Sequence, residues 1–185
     1  MRLTLHTMLS LDGVMQAPGG ADEDRDGGFQ HGGWSFPYCD ETFGATMVDW
    51  ISRADAFLLG RRTYDIFEGF WPKVTDMNDP IAAMLNSKPK YVVSSTRSTV
   101  DWEGASLITG DVLAEVKRLK GMRGAELQVH RSGRLARTLI AHDLVDEYRL
   151  LWFPMRLGAD KRLFSEDSGA SALRLVSATT TSTGS

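Results

Sequence analysis

Three short segments gather the residue types that hold phosphate. In Leu59-Gly60-Arg61-Arg62-Thr63 an apolar run stops at a glycine and is followed by two guanidinium groups and a hydroxyl. A helix starting there leaves its first N–H groups without intrahelical partners and points the positive end of its dipole outward, so an anion is favoured. Arginine adds forked donors that match phosphate oxygens. Two cations at a helix N-terminus are unfavourable unless an anion joins them. The structural alternative is a pair of solvated arginines bridged to Asp65 or Glu68. The second segment, Ser94-Ser95-Thr96-Arg97-Ser98, can ring a phosphate monoester or form an ordinary hydroxyl-rich turn. The third, His130-Arg131-Ser132-Gly133-Arg134, reads as a strand running into a helix, a plausible pyrophosphate cradle. It has one glycine and is not the G-x-G-x-x-G fingerprint.

Proton donors are fewer. Asp12 lies in Leu11-Asp12-Gly13, and Asp40 and Glu41 stand at the start of an apolar-periodic segment. All three are expected near the mouth of a cleft; the alternatives are a turn for Asp12 and helix capping for Asp40 and Glu41. No P-loop, nucleophile elbow or paired C-x-x-C occurs, and His6, His31, His130 and His142 have no metal-ligand spacing, so no metal is expected.

These segments need a frame. Alternation over 2–9 reads as a strand, as do 56–59, 90–95, 106–108, 126–130 and 145–153. Helices are expected over 40–53, where Phe43, Met47, Trp50 and Ile51 form one stripe, from 61 toward Pro72, near 80–86, over 111–120 and over 132–142. Strand and helix alternate, so the fold class is α/β: a mostly parallel central sheet with helices on both faces, in one domain over 1–176. The phosphate-type segments then fall at carboxyl ends of strands, where such sheets bind ligands. Residues 16–33 hold six glycines and four acids, cannot build a core, and are expected to be a mobile loop serving as a lid, or else a surface insertion. The Thr/Ser-rich tail 177–185 is expected to fray.

Composition is that of an ordinary globular chain: 185 residues, 42% hydrophobic, 24% charged, net charge −3. A nucleic-acid scaffold would be basic, and no run is long and apolar enough for a membrane span, so neither nucleic acid nor membrane is an expected partner. Cys39 is the single cysteine, so no intrachain disulfide is possible; it is expected to be buried or half-buried, and the compartment to be the cytoplasm.

In combination SLDGVM (10–15), LLGRRTYDIFEGFWP (58–72), KYVVSST (90–96), SGRLARTLIAHDLVDEYRLLWFP (132–154) and KRLF (161–164) resemble small bacterial dihydrofolate reductase-like proteins, similar to the reductase domain of bifunctional riboflavin-biosynthesis deaminase-reductases. The resemblance implies a dihydrofolate reductase-like sheet, NADPH as cofactor, hydride transfer to a C=N or C=O bond of a small heterocyclic or ribosylated substrate, and a homodimer. By motif, Gly60, Arg61, Arg62 and Thr63 would meet the cofactor phosphates. Ser94, Ser95 and Thr96 would lie at the adenosine end, and Ser132, Gly133, Arg134 and Leu135 under the pyrophosphate. Asp12 and Gly13 would begin the loop over the nicotinamide. Arg131 stands where the family carries glycine, and it either obstructs the nicotinamide side or binds phosphate itself. The 155–160 stretch also departs, and Arg131 or Arg156 is expected to pair with Asp160. Relatives have a further strand beyond the Thr-rich segment; here the sheet either lacks an edge strand, or has that edge covered by another chain, or the sequence extends further. These departures carry the alternative reading, a nucleotide-binding or assembly module without hydride transfer.

Overall fold

The computed structural model describes residues 1–76, 78–159, 161–164 and 169–185. Strands β1 (Arg2–Ser10), β2 (Ala54–Gly60), β3 (Lys90–Val93), β4 (Ala105–Ile108), β5 (Glu126–His130) and β6 (Glu147–Phe153) form one sheet in the order β4-β3-β2-β5-β1-β6. Every pairing between these strands is parallel. The connections carry α1 (Glu41–Ser52), α2 (Arg61–Phe70), α3 (Pro80–Ser87), α4 (Val112–Lys120) and α5 (Gly133–Ala141).

The helices divide between the two faces of the sheet, each packing its apolar side onto strand residues. On one face Val116 and Leu119 of α4 and Leu135, Ala136 and Leu139 of α5 pack on Leu3, Leu5, Leu58, Leu127 and Val129. On the other, Ile51, Tyr64, Phe67 and Leu85, from α1, α2 and α3, pack on Phe57, Leu59 and Val92. β2 and β5 are neighbours, yet the helices that follow them, α2 and α5, lie on opposite faces. A crevice therefore opens between their carboxyl ends, the topological switch point of such a sheet.

The face under α1 carries a polar seam. Arg149 of β6 donates to both carboxylate oxygens of Glu126, at 3.0 and 2.6 Å, and its Nε donates to Glu147 at 2.7 Å. Gln128 donates to Glu126 at 2.8 Å and to the Trp50 carbonyl at 2.6 Å. His6 and His130 stack, with ring centroids 4.7 Å apart. One nitrogen of His6 lies 2.9 Å from the Thr4 hydroxyl, whereas its Nδ1 has no partner among the described residues.

Three expectations change here. Residues 16–33 do contribute to a core: Ala17 and Phe29 are buried in a cluster with Trp34, Met8 and Phe153. Their fold is local. Trp34 Nε1 donates to the Gln16 carbonyl at 2.7 Å, and Gln16 Nε2 donates to the carbonyls of Asp24 and Asp26 at 3.1 and 2.9 Å. Cys39 is exposed, because it sits in the turn between the 3₁₀ segment Phe36–Tyr38 and the cap of α1. The last residues of the tail fold back on that same cap: Ser182 Oγ donates to Asp40 at 2.6 Å and Thr183 Oγ1 to the Tyr38 carbonyl at 2.8 Å.

Candidate active site

Helix starts separate into two kinds. Asp40, Asp79 and Asp111 cap α1, α3 and α4 by accepting N–H bonds of 2.8 to 3.0 Å. No side chain caps α2 or α5, whose cap positions are Gly60 and Ser132. The two uncapped helices are the pair flanking the β2/β5 crevice, so free N–H groups and two positive dipole ends face one another across it.

Ser132 ties these helices together. Its N–H donates to Thr63 Oγ1 at 3.2 Å, its hydroxyl accepts the Gly60 N–H at 3.0 Å, and the same hydroxyl lies 2.9 Å from the His130 carbonyl. These bonds hold both Arg131 (φ 54) and Ser132 (φ 42) in the left-handed region, which non-glycine residues disfavour. The bend turns the chain from β5 directly into α5.

A cleft of about 930 Å³ occupies the crevice. Its walls include Gly60–Thr63, Ser94–Thr96, Thr109–Gly110, Arg131–Leu135, Met15–Ala17 and Glu23–Asp26. Seven cationic side chains (Arg25, Arg61, Arg62, Arg131, Arg134, Arg137, Lys161) and four carboxylates (Glu23, Asp24, Asp26, Asp65) line it, although the whole chain carries −3. That local surplus of positive charge suits an anionic ligand.

All eleven residues expected at a cofactor line this cleft. Their roles differ in detail. Ser94 is buried, and its hydroxyl accepts the N–H groups of Thr96 and Arg97 at 3.2 and 3.0 Å, so it shapes the turn and leaves Ser95 and Thr96 exposed. Arg61 pairs with Asp65 at 2.6 Å, the structural alternative weighed from the sequence, whereas Arg62 pairs with Asp24 and Asp26 of the loop. Arg134 is exposed and has no carboxylate partner among the described residues. Leu135 is buried in the core beneath the cleft.

The three acids expected as proton donors are not brought to the cleft; none of them lines it. Burial alone would raise the Asp12 pKa, but hydrogen bonds from Ser10 Oγ (2.6 Å) and the N–H groups of Gly158 (2.8 Å) and Leu157 (3.1 Å) outweigh it and hold the carboxyl at about 2. Asp12 thus clamps the chain after β6. Asp40, bonded by Ser182 and the Phe43 N–H, is likewise held at about 2 as the α1 cap. Glu41 is exposed on the first turn of α1. Arg131 pairs with Glu23; the expected partner Asp160 lies outside the described residues. Sequence reasoning missed Lys161, Arg137 and Thr109-Gly110. The last directly follows β4, and that placement alone was the available signal. Among the described residues no group of three or more His, Cys, Asp or Glu is arranged for a metal, and no helix is long and apolar enough to cross a membrane.

The donor set fits the phosphates of a dinucleotide: two helix N-termini, guanidinium groups and exposed hydroxyls, beside an apolar wall where Met15 meets Gly133. The parallel sheet and its switch-point cleft define an α/β domain of the dihydrofolate reductase-like fold. The model of the RibD C-terminal domain matches residues 2–185, and the chain belongs to that family. YyaP of Bacillus subtilis (strain 168), itself described as uncharacterized, is 30% identical over 185 residues, covering 99% of this chain and 90% of YyaP. A putative riboflavin biosynthesis protein from Shewanella sp. PV-4 shares the fold at TM-score 0.68 and 22% identity, over 100% of this chain and 94% of that one. Dihydrofolate reductase from Enterococcus faecalis, solved with NADP(H), shares it at TM-score 0.55 and 12% identity, over 89% of this chain and 77% of that one.

Proposed function

We propose that this protein is an NADPH-dependent reductase that passes a hydride to a C=N or C=O bond of a small heterocyclic or ribosylated substrate. The observation that carries the reading is the meeting of two uncapped helix N-termini across one cation-rich cleft. NADPH, when bound, supplies the hydride. The chain's own residues do the rest. The N–H groups opening α2 and α5, with Arg61, Arg62 and Arg134, hold the phosphates, and Thr63 and Ser132 keep both helix ends in register. Ser95 and Thr96 face the adenosine end. Met15 and Gly133 form an apolar wall that excludes water. With Asp12 and Asp40 held ionised and Glu41 outside the cleft, the proton is assigned to a water molecule. A homodimer built on the β6 edge belongs to the same reading; exposed Trp152 on that strand supports it.

Tryptophan fluorescence tests the cofactor step. NADPH is titrated into the protein and into the Arg61→Ala/Arg62→Ala variant, with NADH in parallel. Quenching by NADPH that weakens at least tenfold in the variant supports the reading. An absence of quenching in both the wild-type and Arg131→Gly proteins removes the cofactor. Turnover is then sought with dihydrofolate and ribosylated pyrimidines by loss of nicotinamide absorbance.

The second reading, a nucleotide-binding or assembly module without hydride transfer, is favoured by one observation: each carboxyl expected to donate a proton stands away from the cleft. NADPH binding without turnover on any substrate tested would select it.

A further inference from the structure

The cations at the mouth of the cleft are held by the loop that crosses it. Asp24 and Asp26 both contact Lys161, at 2.6 and 3.0 Å, and both contact Arg62, forming a four-membered ion square. Sequence patterning had assigned the loop's acids no partner, and Lys161 no role. Arg62 stands on the first turn of α2, an uncapped helix start, where an uncompensated cation is unfavourable. Two carboxylates supply there the paired anionic oxygens that a phosphate would supply.

We propose that Asp24 and Asp26 hold the place of a ligand phosphate, that Lys161 is a phosphate-binding residue of this cleft, and that the 22–28 tip of the loop is a competitive latch. The proposal rests on the reading of the cleft as a dinucleotide-phosphate site. The tip is built to let go. Gly27 and Gly28 bend it with φ of 67 and 75. Trp34 anchors the base of the loop by a buried hydrogen bond to the Gln16 carbonyl, and Gln16 Nε2 holds the backbone carbonyls of Asp24 and Asp26, so release needs only the two carboxylates to swing away. An arriving phosphate displaces both carboxylates and takes their place between Arg62 and Lys161.

The test is calorimetric titration of NADPH into four full-length proteins: wild type, Asp24→Asn/Asp26→Asn, the same pair with Lys161→Ala, and Asp22→Asn. Asp22 is a loop acid paired with Arg25 and absent from the cleft wall, so it gauges what losing one loop charge does away from the ion square. The paired variant is expected to bind NADPH about fivefold tighter or more, as two exposed ion-pair sets no longer compete. Lys161→Ala is expected to abolish that gain, and Asp22→Asn to stay within about twofold of wild type. Hydrogen exchange over 22–28 is expected to quicken in the paired variant without ligand. A paired variant no tighter than Asp22→Asn overturns the latch and leaves cofactor binding standing. A gain that survives Lys161→Ala overturns the role of Lys161. No heat with any of the four proteins overturns the dinucleotide reading and this proposal together.

Discussion

The N–H of Ser132 donates to Thr63 Oγ1 across 3.2 Å, and this bond joins the starts of two helices on opposite faces of the sheet. Both residues are buried, so the bond has no water to replace it. Thr63→Val keeps the shape and removes the acceptor, leaving a buried N–H unpaired. The expected loss is about 1–3 kcal/mol, read by urea denaturation. NADPH affinity should fall with it, because the two phosphate-facing N-termini lose their register.

Arg131 opposes two effects. Its left-handed φ of 54 favours glycine, while its guanidinium pairs with Glu23. Arg131→Gly relieves strain of about 1 kcal/mol and gives up an ion pair of similar worth. Global stability is expected to move by less than about 1 kcal/mol in urea, while hydrogen exchange around Gly19 and Glu23 quickens.

Acid should weaken the fold before ordinary carboxylates titrate. Burial first, then neighbouring charge, lowers the pKa of His6 well below 6.5 and that of His130 to about 3. Above pH 6.5 both rings are neutral folded or unfolded. As pH falls below 6.5 the unfolded chain takes up protons that the folded chain refuses, so stability declines toward pH 3. The slope approaches about 1.4 kcal/mol per pH unit for each histidine. A urea midpoint flat from pH 7 to 5 would contradict it.

Glu126 and Arg149 are both almost fully enclosed, with side chains 5% and 6% exposed. Removing one partner leaves the other charge buried, so Arg149→Met is expected to destabilise by about 3 kcal/mol or more. Thermal denaturation measures it, and a loss under 1 kcal/mol would show that Arg2 and Gln128 suffice for Glu126.

Asp40 caps α1 and holds Ser182. Asp40→Ala should lower the thermal midpoint and loosen the tail, leaving NADPH affinity within twofold. A large loss of turnover at unchanged stability would restore its catalytic role.

The frame was legible in the chain because local patterning determines it. Alternating Leu3, Leu5 and Leu9 define a strand, and the stripe of Phe43, Met47 and Ile51 defines a helix, whatever lies opposite. Gly60-Arg61-Arg62-Thr63 and Ser132-Gly133-Arg134 also showed their chemistry by position, since a helix start is a local feature. What decided their meaning was not local. The sheet order places β5 beside β2, and only that adjacency turns two separate helix starts into one cleft. Asp12 looked like an acid near a cleft because the Leu157 and Gly158 amides that claim it lie far along the chain. Local sequence assigns Glu23, Asp24 and Asp26 no partner because their cations come from three other segments. Periodicity records what each residue does to its near neighbours; charge pairing across distant segments depends on how the chain closes on itself.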